Sequence, residues 1–254
     1  MLIVSIEKKL PVSQEKKDII FVVGSPRSGT TFLASEICKR IDTPLMPEAQ
    51  WIIESVKNKI TEDYTSENWS AYKVYDTQSD ISAHLIDKIF IEECDIRNVT
   101  MGDTIVEHTP QNILILDKIR KIYAVSSTTS IRFIAPLRDP SKSIQSLIEQ
   151  EWFNKGVVNA AFFNFRCMFN LFKFREKIDF IKIDNENVQS LLDCKFGSIP
   201  KKFEYYSNSI QNSPKLINSH KYFLKKTQKT NVSFLVIFLS IPSQIIYRYL
   251  LRWI

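Results

Sequence analysis

Glycine is scarce in this chain, with five among 254 residues, so a glycine in a loop answers a need for tight backbone or close approach. Three of them, Gly24, Gly29 and Gly102, lie beside the segments that carry chemistry. Cysteine is nearly as rare. Cys38, Cys94, Cys167 and Cys194 stand far apart without a CxxC pair, which excludes a zinc-finger spacing and a disulfide framework. No metal is expected, and isolated reduced thiols fit a cytoplasmic protein. Internal repeats and low-complexity linkers are missing too. The opening segment, MLIVSIEKKLPVSQEKK, has too short an apolar stretch for a signal peptide or anchor.

Acidic residues are almost missing from the last quarter. From Lys195 onward eight lysines, Arg248 and Arg252 are opposed only by Glu204. Such a segment suits an anionic substrate or an anionic membrane face, or it is a solvated basic surface; no nucleic-acid partner is expected. A long apolar run is also lacking. Residues 232–241 are apolar apart from two serines, but the run reaches spanning length only by including Pro242, Gln244 and two arginines. The expectation is a domain over 1–230 and an apolar tail over 231–254. The tail reads as a core-packed or interfacial helix pair in peripheral membrane contact, with a spanning segment as the alternative.

What remains has the balance of a globular chain: 44% hydrophobic, 24% charged, net charge +6. Residues 18–23 (DIIFVV) are a short apolar run before Gly24, the pattern of a buried parallel strand. A helix over 30–40 follows, then helices over 52–60 and 81–93. A strand at 103–107 leads to a helix over 110–122. A strand at 131–137 leads to a helix over 140–152 and a Phe-rich helix over 157–177, ahead of a strand at 179–183. This alternation predicts an α/β fold: an open, mostly parallel sheet with helices on both faces, a P-loop-like three-layer sandwich. Ligands in such folds sit at the carboxyl ends of the strands. The loops after Val23, Glu107 and Leu137 therefore lie side by side.

The first loop, Gly24-Ser25-Pro26-Arg27-Ser28-Gly29-Thr30-Thr31, runs from a strand into a helix. Such a turn aims backbone N–H groups and a helix N-terminus at an anion. Ser28, Thr30 and Thr31 add hydroxyls, and Arg27 adds a fork-shaped cation suited to phosphate or sulfate. The loop half-matches G-x-x-x-x-G-K-[ST], but Thr30 stands where the lysine belongs, which weakens a reading as an ATP or GTP hydrolase. An ordinary strand–helix turn is the plain alternative. After the third strand, Arg138 is followed eight residues later by Ser146, a pair able to meet one phosphate from a strand end and the next helix.

These segments resemble the PAPS-dependent sulfotransferases, most nearly the carbohydrate and protein-tyrosine branch. That family binds the 5′-phosphosulfate of 3′-phosphoadenosine-5′-phosphosulfate (PAPS) with a loop close to P-R-S-G-T-T. It binds the 3′-phosphate with an arginine at a strand end and a serine eight residues on. The resemblance covers about residues 18–185. It implies sulfo transfer to an acceptor hydroxyl by in-line displacement, with PAPS consumed and adenosine 3′,5′-bisphosphate (PAP) released. The acceptor is a hydroxyl-bearing molecule such as a glycan or lipid. Gly24 to Thr31, Arg138 and Ser146 would hold the nucleotide, with Arg27 also among the catalytic groups.

Two residues compete for the base. Glu48, in PLMPEAQWI, occupies the place of the family's catalytic carboxylate; a glutamate favoured by the helix dipole is the alternative. Glu107-His108-Thr109-Pro110 resembles a family segment reading E-K-T-P, with His108 in place of a permanent cation. The expectation assigns the base to Glu48 and the transferring oxygens to His108. His84 and His220 read as structural, and the Phe-rich stretch (Phe162, Phe163, Phe165, Phe169, Phe172, Phe174) as core. The competing classes are a P-loop nucleotide kinase or NTPase, and a non-catalytic nucleotide- or membrane-binding member of the same fold.

Overall fold

The structure is a computed structural model describing residues 17–57, 69–71, 82–99, 102–126, 129–183, 188–197 and 233–253. His220 and most of the basic segment after Lys195 lie outside the described residues. Four strands, β1 (Lys17–Val22), β2 (Thr104–Glu107), β3 (Thr129–Leu137) and β4 (Ile178–Lys182), form one parallel sheet in the order β2-β1-β3-β4. Its strands alternate between two cores because side chains change face at every residue. Ile19, Phe21 and Val23 enter one core with Phe133 and Ala135; Ile20 and Val22 enter the other with Ile134.

Helices cover both faces. α1 (Thr30–Ile41) closes the smaller core with α7 (Val188–Phe196), through Leu33, Ile37 and Leu192. The larger core takes α2 (Gln50–Lys57), α3 (Ala83–Ile96), α4 (Leu116–Ala124) and α6 (Gly156–Lys173). α5 (Pro140–Ile148) and α8 (Phe234–Leu250) pack with α6 in a third cluster of Ile144, Leu147, Ala160, Ala161 and Val236. The expected α/β sandwich is the observed one. Among the described residues no helix is long and apolar enough to cross a membrane.

Several elements depart from the sequence reading. The helix expected over 110–122 is divided: Pro110–Ile115 is a 3₁₀ turn and only then does α4 begin. The Asn112 amide reaches back three residues to the Thr109 carbonyl at 3.1 Å, and its side chain is held by Glu107, which tightens the turn. α7 lay in a stretch left unassigned. The tail is one helix running through Pro242, not a pair. Proline removes the bond to the carbonyl four residues back, but Pro242 and Phe238 both lie on the exposed side, where a freed carbonyl is tolerated. Of the phenylalanines expected in the core, Phe163, Phe172 and Phe174 pack half-buried against it, while the fully buried face of the helix is Ala160, Ala161, Asn164, Cys167, Met168 and Leu171. Phe162 and Phe169, seven residues apart, share its exposed face.

Candidate functional site

The sheet order places β1 between β2 and β3, so the side on which successive strands are added reverses at the β1–β3 boundary. Ligand crevices in open α/β sheets form at such a switch point. The first and third loops flank it. Backbone bonds lock the end of β1 on both sides: the Val23 amide donates to the Ile134 carbonyl at 2.9 Å and the Gly24 amide to the Pro110 carbonyl at 3.0 Å.

The first loop then turns sharply. The Ser28 amide returns to the Ser25 carbonyl at 3.0 Å. Arg27 takes a φ of 67° and Gly29 a φ of 99°. For an arginine this left-handed geometry costs about 1–2 kcal/mol, strain of the kind that collects at functional sites. A Cβ on Gly24 would lie 2.8 Å from Ser28 Oγ, so glycine there keeps the turn's interior open. Gly29, at the N-cap of α1, has no side chain with which to cap the helix, and uncapped first-turn amides are the kind of donors that suit an anion. Thr30 is buried and Thr31 half-buried at the start of α1.

Two arginines weld the loops together. Arg27 Nε donates to Ser146 Oγ at 3.2 Å, and an Arg138 guanidinium nitrogen donates to the Arg27 carbonyl at 2.8 Å. Residues more than a hundred positions apart in sequence thus meet in one cluster. Asp139, beside Arg138, caps α5 by accepting from the Ser141 amide at 2.8 Å.

The second loop is organised by Glu107, a wholly buried carboxylate at the end of β2. It accepts from the Thr109 amide at 2.7 Å, the Ala49 amide at 3.2 Å, the Thr109 hydroxyl and the Asn112 side chain. The Ala49 bond matters most, because it carries the neighbouring Glu48 to the mouth of the cluster. From the other side Trp69 donates its indole N–H to the Glu48 carbonyl at 3.1 Å. Trp69 itself stacks edge-on against Trp51 and Phe90.

Glu48 keeps access to solvent at its residue surface, yet protein crowds round its carboxyl. Desolvation, then the charge of Glu107, push its pKa up to about 7 against the opposing pull of Arg27. Glu48, Glu107 and Arg27 therefore act on one another electrostatically. His108 differs. It is buried, and desolvation brings its pKa down to about 4, so at pH 7 it is neutral. Burial thus disfavours the protonated form that a cation's role here would need, and the His108 Nδ1 has no hydrogen-bond partner among the described residues. His84 is exposed, away from this cluster.

Two residues escaped the sequence reading. Asn164 of α6 is buried and donates to Ser25 Oγ at 2.8 Å, while its Oδ1 is without a partner among the described residues. Its signal was present: at helical spacing from Ala160, Cys167 and Leu171, a polar residue stands where periodicity demands a core side chain. Gln244 of α8 donates to Asp139 at 2.7 Å, and no local pattern marks it.

The chain is similar to a solved structure described as "Sulfotransferase Domain from the Curacin Biosynthetic Pathway". The two are 16% identical, with a TM-score of 0.53, over 93% of this chain and 98% of that one. The fold is sulfotransferase-like. No protein-family model and no curated protein sequence matches the chain. Within this sulfotransferase-like fold, the cluster around Arg27 gathers guanidinium and hydroxyl donors at one sheet edge. Ser28 Oγ is buried without a partner among the described residues, beside the space that glycine at 24 leaves open.

Proposed function

We propose that the protein transfers a sulfo group from PAPS to an acceptor hydroxyl. The observation that carries this reading is the junction of Arg27, Ser146 and Arg138. It joins two oxyanion-binding loops across one switch point, as a nucleotide with phosphates at both ends of its ribose requires. The first-loop amides, Ser28, Thr30, Thr31 and Arg27 would hold the 5′-phosphosulfate, and Arg138 with Ser146 the 3′-phosphate. Bound PAPS would supply the activated sulfo group. The residues fit it through a lysine-free loop, an open helix N-terminus and the unpartnered Ser28 hydroxyl.

Glu48 takes the acceptor proton in this scheme. A carboxylate with a pKa of about 7 is a far better base near neutrality than an ordinary one. Arg27, whose charge already acts on Glu48, offsets negative charge on the oxygens of the transferring group. His108 meets those oxygens as a neutral hydrogen-bonding group.

Thermal melting with PAP tests the proposal. PAP without magnesium should raise the melting temperature, because a ligand that binds only the native state stabilises it by mass action. Equal stabilisation by ATP, and only with magnesium, would assign the loop to a nucleotide kinase or NTPase. PAP binding without sulfo transfer across a screen of acceptors with labelled PAPS would leave a nucleotide-binding protein.

A further inference from the structure

α8 buries one face and bares the other. Val236, Ser240, Ser243, Tyr247 and Leu250 are turned inward. Phe234, Phe238, Ile241 and Ile245 are exposed, Phe234 at 83% and Ile245 at 66%. Their spacing of three and four residues draws a continuous stripe along the helix. Leu235 and Ile237 widen it. α6 runs alongside, with the Phe172 ring 5.1 Å from that of Tyr249, and it exposes Phe162 and Phe169. A soluble monomer rarely presents so much contiguous apolar surface without a partner.

Charge selects the partner. Arg248 and Arg252 are exposed where the stripe ends, and from Lys195 onward ten basic residues face a single acidic one, Glu204. A second copy of the helix suits this poorly. Packed parallel, the stripe would set Arg248 and Arg252 against their own copies. Packed antiparallel, it would lay them over Phe234 and Leu235, and α8 itself carries no acid to answer either. Anionic headgroups answer the arginines while the acyl boundary takes the phenylalanines. We propose that α8 docks its outward face in the plane of an anionic lipid bilayer. Its inward face, through Gln244 and Asp139, stays on the loop that carries Arg138.

Flotation of the full chain with vesicles tests this. One set is phosphatidylcholine alone; the other contains about a third phosphatidylserine. The chain should float with the anionic vesicles and be released by salt. Phe238→Glu and Ile245→Glu should each cut the bound fraction about tenfold, and Arg248→Glu should act in the same direction. All three side chains are exposed, so the variants should melt like the parent and keep its response to PAP. A lost PAP response with intact flotation would refute the nucleotide reading and leave the docking standing. Failure to float refutes the docking. A dimer in light scattering that Phe238→Glu splits, without vesicle binding, would assign the face to a second copy.

Discussion

Glu48 shows how the site is made from opposing requirements. Ionising a crowded carboxyl beside Glu107 is unfavourable, and that same cost suits it to the base's part in the proposed transfer. The turnover rate should rise with pH through about 7 as the carboxyl ionises. Glu48→Gln should keep PAP binding and lose turnover by about 10²–10⁴-fold. If His108→Ala abolishes turnover while Glu48→Gln leaves it, the base moves to His108. Stability should move the other way. A folded pKa above the ordinary value stabilises most at low pH, and that contribution is lost as pH rises through about 7. Glutamine imitates the protonated acid. Glu48→Gln should therefore melt with the parent near pH 4 and above it near pH 8, in a calorimetric comparison. Arg27→Ala and Arg138→Ala should each weaken PAP binding in titration by about 1.5–3 kcal/mol, the scale of a hydrogen bond to a charged group.

At the scale of elements, α8 has one packed face and one bare face, and substitutions separate them. Leu250 is fully buried against the main core, and Leu250→Ala should lower unfolding stability by about 2–5 kcal/mol in denaturant titration. Deleting 231–254 should accordingly melt the protein early, because it strips cover from α5 and α6, whereas charge on the outer stripe should not. α6 carries a different duty. Its Asn164 holds Ser25, so Asn164→Ala should weaken PAP binding more than it lowers the melting temperature. An equal fall in both would make Asn164 a packing residue.

For the whole molecule, the parallel sheet is the instrument that gathers the site. β1, β2 and β3 end at the same edge, where Arg27 and Arg138 stand in the loops after β1 and β3 and Glu107 closes β2. Glu48 reaches this edge from the α1–α2 connection, drawn in by the Ala49–Glu107 bond and braced by Trp69. Contacts of such sequence separation repay their chain entropy only when the core is complete. A ligand held by this edge would therefore be linked to global stability, which is why melting with PAP tests the proposed site.

The sequence by itself determined the alternation of strands and helices, since period-two and period-3.6 burial are local patterns. It also determined the strand–loop–helix character of the segment from Gly24 to Thr31, because glycine and hydroxyl residues act through their own backbone. Tertiary structure decided what depends on neighbours distant in the chain. The Arg27–Ser146 bond spans 119 positions, and no local spacing encodes it. Burial keeps His108 a neutral imidazole near pH 7, and desolvation together with the charge of Glu107 raises the Glu48 pKa to about 7. The apolar tail resolved into one helix with a packed face and a bare one because only α5 and α6, arriving from elsewhere, define an inside. Composition cannot say which of two apolar faces meets protein; the surface it packs on does.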